Sequence, residues 1–117
     1  RLTSIIEKHS EFLETIQISD DMTPGYYGFP IFLKPNTKIN RNDFCSKLES
    51  FGIETRPNMG GCLPDQPGFI NQHHRVHGNL TNSRSIKNNA FFVGVHSELT
   101  EENFSNFDKA LDTILSN

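Results

Sequence analysis

Apolar residues recur at helical spacing through Leu2, Ile5, Ile6, Phe12, Leu13 and Ile16, with Glu7, Lys8, Glu11 and Glu14 on the other side. That period predicts an amphipathic helix over Leu2 to Ile16. From Ile18 to Gly25 the residues Ser19, Asp20, Asp21, Pro24 and Gly25 interrupt it and predict a connecting loop. Tyr26 to Lys34 is short, apolar and aromatic, which reads as a strand. Pro30 at its middle lacks an amide for the ladder, so an edge position or a bulge is expected. Its apolar run is continuous, so both faces are expected to be covered.

Asn40 or Asn42 can cap a second helix that carries Phe44, Cys45, Leu48 and Phe51 on one face and stops at Gly52, a residue suited to the left-handed end of a helix. Ile53 to Arg56 starts a short strand. From Pro57 to Gly78 periodicity disappears among Gly60, Gly61, Pro64, Pro67, Gly68 and the histidines His73, His74 and His77. A loop of that length in a compact domain is functional or disordered. Thr81 or Asn82 is predicted to cap a short helix through Ile86, and Ala90 to Val95 reads as a buried strand. Thr100 caps a last helix with Glu102 and Asn103 in its first turn and Phe104, Phe107, Leu111, Ile114 and Leu115 on its apolar face. This order predicts an α+β fold, a small antiparallel or mixed sheet covered by helices. The expected division is a linker helix and loop over residues 1–25 and a folded domain over 26–117.

Composition narrows the function classes. At 117 residues, 34% of them hydrophobic, the chain has material for one small core. Its 11 Lys and Arg are scattered against 14 Asp and Glu, a net charge of −3, so there is no basic stripe to neutralise nucleic-acid phosphates. No apolar run approaches a bilayer span and the first residues lack the layout of a signal peptide, so no membrane role and a cytoplasmic location are expected. The chain opens with Arg1 instead of Met, which points to a piece of a longer protein. Two thiols, Cys45 and Cys62, in no CxxC-type spacing fit a reducing compartment and cannot alone hold an iron–sulfur cluster, which takes about four. Asn79-Leu80-Thr81 and Asn103-Phe104-Ser105 match the glycosylation triplet and read as coincidence in an Asn-rich chain.

Candidate chemistry centres on the loop. Cys62, His73, His74, His77 and His96 are ligand types that zinc accepts, but the spacing argues against a metal. His73 and His77 are followed at once by Gly78, with no Glu between them as on a metalloprotease helix. They read as solvated loop histidines, and a Cys62–histidine nucleophile pair has no local signature either. Arg56 is more informative: at a strand end entering a Gly-rich loop, its guanidinium can present a rigid fork to a carboxylate or phosphate. Gly60 and Gly61 would let backbone amides approach the same ligand. Equally, Arg56 can pair with Glu49 or Glu54 while the glycines merely turn the chain. Arg75, Arg84 and Lys87 add positive charge nearby, which as a rule is a solvated face.

Several stretches in order carry a resemblance: Gly28-Phe29-Pro30-Ile31, Leu48-Glu49, Gly52-Ile53-Glu54-Thr55-Arg56, a Gly-rich stretch ending in Gln66-Pro67, Arg75-Val76-His77-Gly78, Leu80-Thr81-Asn82, and Phe91-Phe92-Val93-Gly94-Val95. From about Tyr27 to the last helix, the chain resembles the C-terminal domain of vitamin B6-dependent enzymes acting on nucleotide-linked keto sugars, which have the aspartate-aminotransferase fold. Within that family it looks most like the 3-dehydratases of 4-keto-6-deoxyhexoses, used in dideoxysugar and lipopolysaccharide assembly. The resemblance implies an enzyme several times longer, whose missing N-terminal domain binds pyridoxal or pyridoxamine 5'-phosphate, with this chain as its small domain. It implies that the cofactor-bearing residue, lysine in the aminotransferases and typically histidine in the dehydratases, lies upstream, so that no catalytic residue and no metal ligand is expected here and the chain alone is inactive.

Carried over, the resemblance puts Arg56, Gly60, Gly61, Cys62, Gln66, Asn82 and Arg84 on the wall of a cleft that takes a nucleotide-linked keto sugar. It further implies a homodimer that shares residues across its two sites, and a reductase partner. Two departures stand out. The dehydratases usually carry a basic residue before Gln-Pro where this chain has Asp65, a change of two charge units that bears on nucleotide or sugar preference. After Asn82 they commonly have an acidic residue and then Arg, where this chain has Arg84 and Ser85. Amino transfer within the same family is the near alternative, and a free-standing ligand-binding module at Arg56 and the long loop is the alternative from another class.

Overall fold

In the computed structural model, which describes residues 1–116, the opening helix is shorter than its sequence period predicts: α1 spans Leu2–Lys8. The amides of Phe12 and Leu13 both turn back to the His9 carbonyl, and Leu13–Glu14 become strand β1, opposite Leu33 and Phe32 of β2 (Gly28–Leu33). Sheet pairing overrides the helical period here. The Lys34 amide donates to the Phe12 carbonyl at 2.8 Å, and the Thr15 hydroxyl donates to the Pro30 carbonyl at 2.7 Å, which fastens the two segments beyond the ladder.

The remaining elements are α2 (Arg41–Ser50), β3 (Thr55–Pro57), a 3₁₀ turn at Leu63–Asp65, α3 (Thr81–Asn89), β4 (Ala90–Gly94) and α4 (Glu101–Leu115). The sheet runs β1-β2-β4-β3 and every pair is antiparallel, which selects the first of the two predicted sheet types. Strand β2 is therefore internal, not at an edge. Pro30 is tolerated there because its carbonyl receives the Thr15 hydroxyl on the β1 side, where the ladder has already ended, so its missing amide deprives β4 of nothing.

Two helix ends follow their sequence signals closely. Asn40 caps α2 through the Asp43 amide, and Gly52 (φ 78°) ends it: the Ile53 amide reaches the Leu48 carbonyl and the Gly52 amide that of Glu49. That is the doubly bonded left-handed ending in which glycine avoids a steric penalty. Thr100 and Asn103 cap α4 reciprocally, side chain to backbone in both directions. Helix α3 departs from expectation. Its cap position is Leu80 in a left-handed conformation (φ 54°) with no side-chain bond, and the Asn79 side chain accepts from the Thr81 amide instead of Thr81 or Asn82 doing the capping. It also runs past Ile86 to Asn89.

Alternation along β2 buries Phe29, Ile31 and Leu33 and leaves Gly28, Pro30 and Phe32 half-exposed, so one face is covered rather than both. The buried face meets Phe91 and Val93 of β4, Phe44 and Leu48 of α2, Phe107, Ala110, Leu111 and Ile114 of α4, and Ile6 and Leu13 from the start of the chain. Phe104 and Leu115 of α4 are only partly buried. Burying each large apolar side chain is worth about 1.5–3 kcal/mol, against about 0–1 kcal/mol for an exposed ion pair. Ile6 thus fixes α1 more firmly than the pair between Arg1 and Glu101. No helix among the described residues is long and apolar enough to cross a membrane.

Candidate functional site

Where β4 leaves the sheet, a cleft of about 560 Å³ opens between Tyr27, the segment from Gly52 to Arg56, the end of β4 and the first turns of α4. Strand pairing builds its wall. Pro30, Phe92 and Arg56 stand directly across from one another on β2, β4 and β3, a row on the half-exposed sheet face. The Phe92 ring leans over Gly28, where an added Cβ would sit 2.2 Å from its Cδ2 atom, so this strand position has room only for glycine. Tyr27, 83% exposed, places its ring 6.1 Å from that of Phe92. None of these aromatic contacts was singled out from the sequence, although Gly28 inside an apolar strand is the usual sign of a close approach.

Arg56 lines this cleft, and the structure chooses between its candidate partners. Glu49 accepts from the buried Thr55 hydroxyl at 2.7 Å, while Arg56 pairs with Glu54 and donates Nη1 to the Thr55 carbonyl at 3.1 Å. With side chains 59% and 71% exposed, the Arg56–Glu54 pair contributes little stability, so an incoming carboxylate or phosphate can compete for the guanidinium.

Beyond Pro57 the loop is built on its glycines. Gly60 (φ 78°) and Gly61 (φ 51°) both take left-handed backbone. A Cβ on Gly61 would lie 2.8 Å from Lys87 Cβ and 3.0 Å from its Cα, so the loop lies directly on α3. Gln66 donates its amide to the Gly60 carbonyl at 2.8 Å and closes the turn. Cys62 is 1% exposed, packed behind the loop. Asn82 is exposed on the first turn of α3 and makes no side-chain hydrogen bond among the described residues. Arg84 reaches both carboxylate oxygens of Asp65, at 2.9 and 3.0 Å. The guanidinium holds the Asp65 carboxyl below its usual range, and Asp65 raises the guanidinium in return. Of the seven wall residues expected from the sequence, Arg56 lines the cleft and the other six gather around the loop and α3.

His73, His74, His77, His96 and Cys62 do not form a cluster. The His74 ring bonds the Gln72 carbonyl, and His96 accepts from the Glu98 amide. Among the described residues the one grouping with metal-type donors is His9, Asp108 and Asp112, with ligand atoms within 4.8 Å of one another. The Lys8 ammonium already sits on both carboxylates, at 2.9 and 3.3 Å, and His9 stands 3.3 Å from Asp108, so the group is an ion network tying α1 to α4. Hydrogen bonding to Asp108 raises the Lys8 ammonium, and Lys8 in turn lowers the Asp108 carboxyl. Nothing near Lys8 and His9 in the sequence announces Asp108 and Asp112 as their partners.

No protein-family model matches the chain. Over 97 residues, 83% of its length, it is 37% identical to the lipopolysaccharide biosynthesis protein RfbH of Salmonella typhimurium, of which the match covers 22%. It is 32% identical over 79 residues, 68% of its length and 17% of the relative's, to the dTDP-4-dehydro-2,6-dideoxy-D-glucose 3-dehydratase of Saccharopolyspora spinosa. The chain thus spans about a fifth of the length of these curated relatives. Among solved structures, E. coli GDP-4-keto-6-deoxy-D-mannose-3-dehydratase with bound hydrated PLP matches with a TM-score of 0.74 at 22% identity, over 93% of this chain and 30% of that one. An aminotransferase from Psychrobacter cryohalolentis matches with a TM-score of 0.80 at 15% identity, over 98% and 32%. At these identities the structural likeness establishes the fold.

Proposed function

The chain belongs to the family of nucleotide-sugar 3-dehydratases and aminotransferases with the aspartate-aminotransferase fold, and from that premise we propose that it is the C-terminal small domain of a 3-dehydratase of nucleotide-linked 4-keto-6-deoxyhexoses. Sequence identity supports dehydration over amino transfer: the dehydratase and the lipopolysaccharide protein are related to the chain above 30%, whereas the aminotransferase shares its fold at 15%. The observation that carries the site is Arg56 on the cleft wall with a readily exchanged partner. In this reading Arg56 takes an anionic group of the nucleotide sugar, the Gly60–Gly61 backbone and Gln66 shape the wall behind it, and Asn82 offers a free amide from α3. Cys62 backs the loop from within.

The whole enzyme would work with pyridoxamine or pyridoxal phosphate. The residues here do not form that group's site: no lysine lines the cleft. The cofactor therefore belongs to the upstream domain, and no step through it is assigned to this chain. The same reading carries residues 1–25 as the link to that domain, a cytoplasmic homodimer whose subunits complete each other's sites, and a reductase acting with it.

Supplying the full-length protein with pyridoxamine phosphate and a nucleotide-linked 4-keto-6-deoxyhexose tests the proposal. Loss of the 3-hydroxyl as water, read by mass spectrometry of the product, is the expected result, and a glutamate-dependent amino sugar would instead establish amino transfer. Arg56→Ala is expected to depress turnover at unchanged thermal stability; full activity would reduce Arg56 to a surface ion pair.

A further inference from the structure

Residues 67–79 are exposed without interruption. They carry Phe69, Ile70 and Val76 at the surface, together with His73, His74, Arg75 and His77. The internal bonds of this stretch are local, from the Phe69 and Ile70 amides to the Gln66 carbonyl and from the Gln72 amide to the Phe69 carbonyl, and with so little apolar surface buried they do little to offset the entropy of fixing its whole path. One side chain stands at both of its ends. Arg84 donates Nε and Nη2 to the Asp65 carboxylate, just before the stretch, and Nη1 to the Asn79 carbonyl, its last residue, at 2.8 Å. Lys87, on the next part of α3, approaches the Asp65 carbonyl at 3.4 Å and its carboxylate at 3.8 Å.

A planar guanidinium suits this task where an ammonium does not, since it offers a paired edge to a carboxylate and a further donor in a fixed direction. A lone surface ion pair holds little, but this one is bidentate, shared with a second cation and joined to a backbone carbonyl. Its effect reaches forward as well. Gln66 follows Asp65 directly and bonds the Gly60 carbonyl, and Gly61 rests on Lys87, so the turn four residues after Arg56 is anchored to the same few atoms. Three of the five Arg84 donors are spent within the chain, which commits its Nε–Nη2 edge to Asp65 and one Nη1 hydrogen to Asn79.

We propose that Asp65 and Arg84 form a clasp that sets the path of the loop from Gly60 to Asn79, so that both are positioning residues that govern substrate affinity through the loop and do not touch the substrate. The clause about substrate rests on the function proposed above; the clasp itself does not.

The full-length protein tests both parts, using Asp65→Asn, Arg84→Lys and the exchanged pair Asp65→Arg with Arg84→Asp. Hydrogen exchange at the hydrogen-bonded amides of Asp65, Gln66, Phe69, Ile70 and Gln72 reads the clasp with no substrate present. Exchange is expected to quicken about tenfold or more in each single variant and to return toward wild type in the exchanged pair, since protection tracks the population of the open form. KM for the nucleotide keto sugar should rise about five- to tenfold in the single variants with kcat within about twofold, and fall back in the exchanged pair. Unchanged exchange in both single variants overturns the clasp. Quickened exchange with an unchanged KM overturns the positioning role, and so does a KM that stays high in the exchanged pair despite restored protection, because Arg84 would then be touching substrate itself. A wild-type protein inactive on nucleotide sugars whose exchange responds as expected overturns the proposed function and upholds the clasp.

Discussion

Gly28→Ala isolates the packing that forms the aromatic wall of the cleft. The new Cβ would lie 2.2, 2.8 and 2.9 Å from Phe92 Cδ2, Cε2 and Cγ, so one whole edge of the ring is in the way and a small tilt cannot clear it. The ring must swing off β2, giving up its stacking against the strand and its approach to Tyr27. Forced overpacking of this kind costs about 1–3 kcal/mol. Against it stands a gain of about 0.4–1 kcal/mol, because alanine has fewer unfolded conformations to lose and the backbone at Gly28 is not left-handed. The expected net loss is about 0–2.6 kcal/mol, read as a lower urea midpoint at constant slope. In a Phe92→Ala background the obstacle is gone, so the same Gly28→Ala change should be neutral or stabilising. A midpoint that rises with Phe92 in place, or a loss of equal size in both backgrounds, would refute the assignment of Gly28 to this contact.

Other outcomes follow from the same geometry. Lys8 holds the Asp108 carboxyl below its ordinary value of about 3.9, so the pair's contribution is complete above that pH and lost as pH falls through the lowered value. Acid unfolding of Asp108→Asn monitored by circular dichroism should therefore be less steep below about pH 4 than that of wild type. A slope equal to that of wild type would contradict the network. Cys45 is half-buried with its thiol raised by burial and Cys62 is fully buried, so a thiol reagent should modify Cys45 first in the native state and both at one rate in urea. Thr100→Ala removes one arm of the cap on α4 and should cost about 0.5–2 kcal/mol in a denaturation midpoint, whereas Thr81→Ala, which caps nothing, should cost far less.

Much of this architecture was legible along the chain wherever one residue type has one local use. Asn40, Gly52 and Thr100 mark helix ends because their side chains, or the lack of one, answer needs of the nearest few residues. Legibility failed where a distant segment decides. Phe12, Leu13 and Ile16 continue the helical period, yet Leu13 and Glu14 are claimed by the backbone of β2, and nothing near them in sequence announces it. Pro30 looked like an edge marker because it lacks one ladder donor, whereas that donor would face the β1 side of β2, where the ladder has already ended. At the site, Arg56 was visible as chemistry but its choice of Glu54 over Glu49 was not, since that choice depends on the Thr55 hydroxyl taking Glu49.

Asp65 and Arg84 extend that lesson to charge. By the resemblance, each taken singly is an expected departure from the dehydratases: an acidic residue where a basic one is expected, and a basic residue where an acidic one is expected. In the fold they are 2.9 and 3.0 Å apart and face each other, so the two departures are two ends of one ion pair with its signs exchanged. A change of two charge units at Asp65 alone would invert the field over the loop; the opposite change at Arg84 cancels it, so that Ser85 in place of the expected Arg is the one net difference, and at neutral pH both groups stay ionised because each stabilises the other's charge. On that expectation, the exchange keeps the proposed anchorage of the loop without repainting the cleft. If the proposed function holds, specificity for nucleotide or sugar should be sought instead in residues that remain uncommitted within the chain: the loosely paired Arg56, the exposed Tyr27 ring and the free amide of Asn82.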